Sequence, residues 1–161
     1  MTYYTLEKLL ADTFDAGIGV NGFYFGFRGG LNAYARGNLF PLVWVQPPNM
    51  PILNPYVYTT GTAPAPVVVH AASSPLTGQT IEISLAIFDK WTLESPGAYT
   101  TLHEKWDNLI EIGLKGIELL NQASGNTTIQ VAELSCTPFE AGEIIDNAPC
   151  ILFNMKVRVW C

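Results

Sequence analysis

The chain has 161 residues, 14 acidic and 8 basic, giving a net charge of −6; 48% of its residues are apolar and 14% are charged. That length suits a single domain with a sizeable core, and scattered basic residues under an acidic balance exclude a sequence-independent nucleic-acid binder. No run approaches the ~18 unbroken apolar residues of a membrane span, and a charged share well below the usual ~25% implies that much of the surface meets other protein.

Met1-Thr2-Tyr3-Tyr4 lacks the basic-then-apolar layout of a signal peptide. Residues 5–14 read as a short amphipathic helix in which Leu6, Leu9, Leu10 and Phe14 share a face and Thr5 caps. Gly17-Ile18-Gly19 ends it. The aromatic, glycine-rich run of residues 22–30 follows, with Phe23, Tyr24, Phe25 and Phe27 set between glycines. Its glycines match neither phosphate-binding spacing, and the basic residues of an RNA-stacking strand are missing. It reads as a hairpin or bulged strand with its rings packed inward.

Residues 38–46 include Leu39, Phe40, Leu42, Val43, Trp44 and Val45, a run apolar on both faces. That suits a central strand covered on both sides, or one whose outer face meets another subunit. Pro47-Pro48 stops it. From Gly37 to Ile81 there is no Asp, Glu, Lys or Arg, and the stretch from Pro47 to Gly78 holds seven prolines. A disordered linker would carry charge and lack Val67-Val68-Val69 and Tyr56-Val57-Tyr58. The stretch reads as an insertion arm at about 47–78 on one domain of 1–161, with hairpin strands near 56–60 and 66–71. It is too long for an ordinary connection, and an uncharged hairpin in water would present sticky edges. Shielding by a neighbouring copy is the economical explanation; a flap folded on its own domain is the alternative.

Ile81, Ile83, Leu85 and Ile87 alternate with Thr80, Glu82, Ser84, Ala86 and Phe88, the pattern of a half-buried strand. A long helix follows, with Leu102, Trp106, Leu109, Gly113, Ile117 and Leu120 on one stripe, widened by Ile110 and Leu114. Ser95-Pro96 offers a start and Gly125-Asn126 a stop. A further strand is expected over 128–136. Last come Ile151, Phe153, Met155, Val157, Val159 and Cys161, alternating with Leu152, Asn154, Lys156, Arg158 and Trp160. This final strand is expected to be paired inside a sheet, since free termini fray. The whole reads as α+β: an antiparallel sheet with the long helix and the short N-terminal helix on one face.

Chemistry-bearing residues are sparse. His70 and His103 are the two histidines, with no metal-ligand spacing and no nucleophile elbow to place a catalytic serine. His103 falls among helix surface residues. Asp107 and Glu111 stand four apart on the long helix and read as solvated, and Asp89-Lys90-Trp91 as a strand exit or a site. Three cysteines without CxxC suggest buried thiols in a reducing compartment, with a Cys136–Cys150 bridge as the alternative. Neither a catalytic, a cofactor nor a metal site is expected, and the chain does not read as an enzyme.

Residues 80–88 closing on Asp89-Lys90-Trp91, the helix, Thr137-Pro138-Phe139-Glu140, Asp146 and the terminal alternating strand form an ordered pattern. So does the upstream Phe40-Pro41-Leu42-Val43-Trp44-Val45-Gln46-Pro47-Pro48. Over roughly 38–48 and 78–161 the chain resembles the small tail-terminator-like or neck proteins of tailed bacteriophages, especially those of crAss-like and related phages of gut bacteria. It departs from compact terminators in the neutral arm. The resemblance implies a virion structural protein, assembled in the bacterial host cytoplasm. It implies a homo-oligomeric ring, commonly a hexamer, at the head–tail junction (a head-tail connector) or the tail end. Other neck or tail proteins are its further partners; double-stranded DNA passes through without specific binding, and no membrane is involved.

Within that reading, Tyr56, Val57, Tyr58, Val67, Val68, Val69 and Trp160 are the candidate subunit-interface residues. Glu104, Asp107, Glu111 and Glu118 would face the lumen and repel passing DNA. Two rivals differ in class. One is another virion component such as a tail-tube subunit. The other is a small α+β ligand-binding or enzymatic domain whose apolar pocket is walled by residues 23–27 and Trp44.

Overall fold

A computed structural model describes residues 3–35, 40–48, 79–90, 98–122, 129–140 and 148–159. The elements are α1 (Tyr3–Thr13), a single 3₁₀ turn (Ala16–Ile18), β1 (Gly22–Phe25), α2 (Arg28–Ala35), β2 (Leu42–Val45), β3 (Gln79–Phe88), α3 (Ala98–Gln122), β4 (Ile129–Glu140) and β5 (Pro149–Val159). The strands form one sheet in the order β1-β2-β3-β5-β4, and the chain is α+β.

The sheet is antiparallel except at one edge, where β1 runs parallel to β2, with Gly22 beside Leu42 and Phe25 beside Val45. Parallel neighbours need a crossover, and α2 supplies it. Residues 22–30 therefore form neither a hairpin nor a bulged strand. They make a short edge strand and the entry to a helix lying on the opposite face from α1 and α3. The aromatic rings are only half-buried in β1, and Phe27 is 71% exposed. Tyr24 accounts for two of the glycines. Its ring lies over Gly26 and Gly30, where any Cβ would collide with it.

β3 and β5 pair along their full lengths, from Gln79 beside Val159 to Phe88 beside Cys150. β5 is thus interior, flanked by β3 and β4. Every second residue of β3 and β5 faces one core: Ile81, Ile83, Leu85 and Ile87 meet Ile151, Phe153, Met155 and Val157, all buried. Leu6, Leu10 and Phe14 of the N-terminal region and Leu109, Ile112, Ile117 and Leu120 of α3 close over them. Close approach is bought by two glycines: a Cβ on Gly113 would overlap the Phe153 ring, and one on Gly116 the Phe14 ring.

The helices differ in detail from the expected stripes. α1 begins at Tyr3, so Thr5 lies within its first turn and is not its cap. Thr13 instead donates its hydroxyl to the Leu9 carbonyl at 2.7 Å. On α3, Ile112 is buried and Leu114 is 48% exposed. The side of α3 that is covered depends on the 3₁₀ turn, which brings Gly19 (φ +91°) beside Ile112. Ser95-Pro96, Gly125-Asn126, Trp91 and Asp146 lie outside the described residues, as does the arm at 49–78. β2 and β3 pair directly, Val45 beside Leu85, so residues 46–78 join two adjacent strands.

Candidate subunit interface

The second face of the sheet is divided. On one half, Leu42, Ala86, Phe88 and Cys150 are buried beneath Leu31 of α2 and Ala148, with Tyr24, Phe40, Trp44 and Leu152 around them. Trp44 donates its indole N–H to the Gly26 carbonyl at 2.7 Å, and its ring tilts against Phe88 at 6.4 Å. Trp44 therefore fixes the β1–α2 corner by packing and hydrogen bonding. Asp89 ends this half: its backbone N–H donates to the Pro149 carbonyl, and its carboxylate accepts from Lys105 of α3 at 2.6 Å. The Asp89-Lys90 step is accordingly a strand exit tied to the long helix, with Lys90 over the Phe40 ring at 5.4 Å.

Farther along the same strands the face lies open. Thr80, Glu82, Ser84, Asn154 and Arg158 are exposed, and Lys156 is half-buried. Ser84 and Asn154 are ladder partners, and the serine hydroxyl donates to the amide oxygen at 2.8 Å. Lys156 sits beside Glu133 of β4 at 2.7 Å. That hydrogen bond, then the charges of Glu133 and Glu82, hold the ammonium pKa above its ordinary value. Pro47, Pro48, Thr80, Glu82, Ser84 and Lys156 line a groove of about 710 Å³. Glu82, Ser84 and Lys156 also line a second hollow of about 330 Å³ reaching Glu133, Leu134 and Ser135 of β4, so the two adjoin along these residues.

β4 forms the far edge of the sheet, paired on one side with β5 among the described residues. Its register shifts between Val131 and Glu133, which leaves Ala132 as a bulge. Beyond it, every side chain from Ala132 to Pro138 is exposed, Leu134 at 41%. An edge strand tolerates Pro138 because only one side need be hydrogen-bonded. Signal for this edge was present in that proline and in the loss of apolar alternation after Val131. The strand was expected to stop at 136, whereas it runs to Glu140.

Glu104, Asp107, Glu111 and Glu118 all lie on the exposed side of α3. Glu111 pairs with Lys115 at 2.7 Å, and this hydrogen bond lowers its carboxyl pKa. Glu118 accepts from Gln122 at 3.0 Å. His103 is exposed and stacks on Trp106 at 5.6 Å. Cys136 and Cys150 are both free. In the ladder Cys136 stands beside Phe153 and Cys150 beside Phe139, three positions apart and about 10 Å along the strand, too far to bridge. Tyr56, Val57, Tyr58, Val67, Val68, Val69, Trp160, His70 and Cys161 lie outside the described residues.

Among the described residues no group of three or more His, Cys, Asp or Glu could hold a metal ion. No helix among them is long and apolar enough to cross a membrane. Comparison with protein-family models, with curated proteins and with solved structures finds no match.

Proposed function

We propose that this chain is a structural subunit of a tailed-phage virion, forming a homo-oligomeric ring at the head–tail junction or tail end. The observation that carries the assembly is the half-bare sheet, an open groove adjoining the exposed β4 edge from Ala132 to Pro138; the virion setting rests on the sequence pattern over roughly 38–48 and 78–161. An edge of that length, unpaired among the described residues, invites another chain. The uncharged stretch from Gly37 to Ile81 supports the same conclusion, because a sequence so poor in charge is suited to contact with other protein. In a closed ring each subunit offers one face to the neighbour on its left and another to the neighbour on its right. Glu104, Asp107, Glu111 and Glu118, set against Lys115, give α3 an acidic exposed side; facing a lumen, that side would repel passing DNA.

Light scattering on the purified chain across a concentration series tests the assembly, and negative-stain images test the ring. Concentration-dependent association into closed particles is expected. The groove also favours a second reading, a small α+β ligand-binding or enzymatic domain, which predicts a monomer or dimer in dilute solution. Open tubes in place of rings would point to a tail-tube subunit.

A further inference from the structure

We propose that the groove across β3, β5 and β4 is the seat of residues 49–78 of a second copy of the chain. This deepens the ring reading and rests on it. The segment leaves β2 after Pro48 and rejoins the sheet at Gln79, the first residue of β3. Pro47, Pro48 and Thr80 line the groove, so both ends of the segment are rooted at its rim.

Length puts a neighbour's groove within reach. Thirty residues going out and back reach up to about 50 Å from their root, at ~3.3 Å per residue. The groove crosses three strands, roughly 10 Å at the usual inter-strand spacing. A segment serving its own groove would need a fraction of that reach, so the length is ample for the groove of an adjacent subunit.

Charge decides the kind of occupant. Lys156 and Arg158 are offset on this face by Glu82 and Glu133, and Lys156 is already bonded to Glu133. With two charges of each sign, the face exerts little net pull on a charged ligand. A chain without charges can lie there without stranding one in a desolvated contact. The stretch from Gly37 to Ile81 meets that condition, and its threonines, serines and tyrosines can hydrogen-bond to a face built of Thr80, Ser84 and Asn154.

The test uses three variants of the full chain. Ser84→Trp and Thr80→Arg fill the groove from exposed positions. The third replaces residues 56–69 by a short Gly/Ser link. Circular dichroism and thermal melts confirm that each is folded. Light scattering is expected to show association weakened at least ~tenfold in all three, about 1.4 kcal/mol. An equimolar mixture of the shortened chain with Ser84→Trp is expected to give one-to-one dimers and nothing larger, one chain supplying the groove and the other the segment. If the wild-type chain assembles and both groove variants assemble equally well, the groove assignment is wrong and the ring reading stands. If the variants are monomers but the mixture forms no dimer, the segment lies on its own groove and the assignment is again wrong. A wild-type chain that stays monomeric at all concentrations overturns the ring reading and this proposal together.

Discussion

The two halves of the outer sheet face are built on the same strands with the same period, yet one is core and the other surface. Around Phe88 and Cys150 the outward side chains are large or apolar, and α2 lies over them with Leu31 fully buried. Four residues back along β3 the outward positions are Ser84, Glu82 and Thr80, and they are exposed. The eight-residue α2 can cover only about 12 Å of strand at 1.5 Å per residue, against about 33 Å for ten-residue β3. Alternation establishes that a strand has two faces. Side-chain chemistry and the reach of the covering helix decide which part of a face is closed.

The contrast can be broken most sharply at its apolar end. Phe88→Ala is expected to cost about 3–5 kcal/mol, whereas Ser84→Ala on the open half should stay within about 0.5 kcal/mol. Urea denaturation measures both, and similar losses at the two sites would show that the open half is also packed. Leu31→Ala should cost about 2–5 kcal/mol by removing the side chain that α2 buries against this half. Tryptophan fluorescence from Trp44 should shift with it, and an unchanged midpoint would mean that α2 is not needed to close the face.

Lys105→Met tests the tie where the covered half ends. Both partners of the Asp89 pair are less than a third exposed, at 29% and 18%, so a loss of about 1 kcal/mol is expected after allowing for solvent screening. The same chemical denaturation, repeated on Lys105→Met with Asp89→Asn, would reveal non-additivity if the two groups are coupled.

Thiol chemistry separates the halves without mutation. Cys150 is buried, and burial pushes its thiol far above the ordinary value of 9.0. Its contribution to stability is therefore complete below pH 9.0 and declines as the pH rises past it, because the unfolded chain ionises first. Peptide mapping after alkylation should find exposed Cys136 modified in the native protein and Cys150 only after unfolding. Equal labelling would contradict the closed half.

The smallest effect belongs to Lys156. Its raised pKa gives a contribution that is present below the unfolded value and lost as pH rises through the folded one. Glu133→Gln should bring the ammonium titration, followed by NMR, back toward the ordinary lysine range. A titration insensitive to that change would mean that the cross-strand pair is not formed in solution.

Several elements of this fold were legible in the residues alone because they answer to local periodicity. The alternation in β3 and β5 identified both strands and their buried faces, and the stripe on α3 identified a long helix. Leu114, expected on the stripe, is half-exposed, and Ile112, outside the expected stripe, is buried beside a 3₁₀ turn that comes from a distant part of the chain. Residues 28–35 concealed a helix because Gly29 and Gly30 are poor helix formers, and Gly30 is explained only by the Tyr24 ring above it. The candidate interface divided likewise. Its outward polar residues could be read from alternation, but the groove could not, since it exists only where β2, β3, β5 and β4 are placed side by side.

Composition and period, then, determined by themselves that this is a charge-poor α+β chain with half-buried strands and a neutral stretch. Tertiary structure alone decided the parallel β1–β2 edge, the placing of α2 on the second face and the strand order that puts β4 at the other edge. The physical reason is that hydrophobic periodicity records what a segment must bury, while partner, direction and coverage depend on which segments the rest of the chain can bring alongside it.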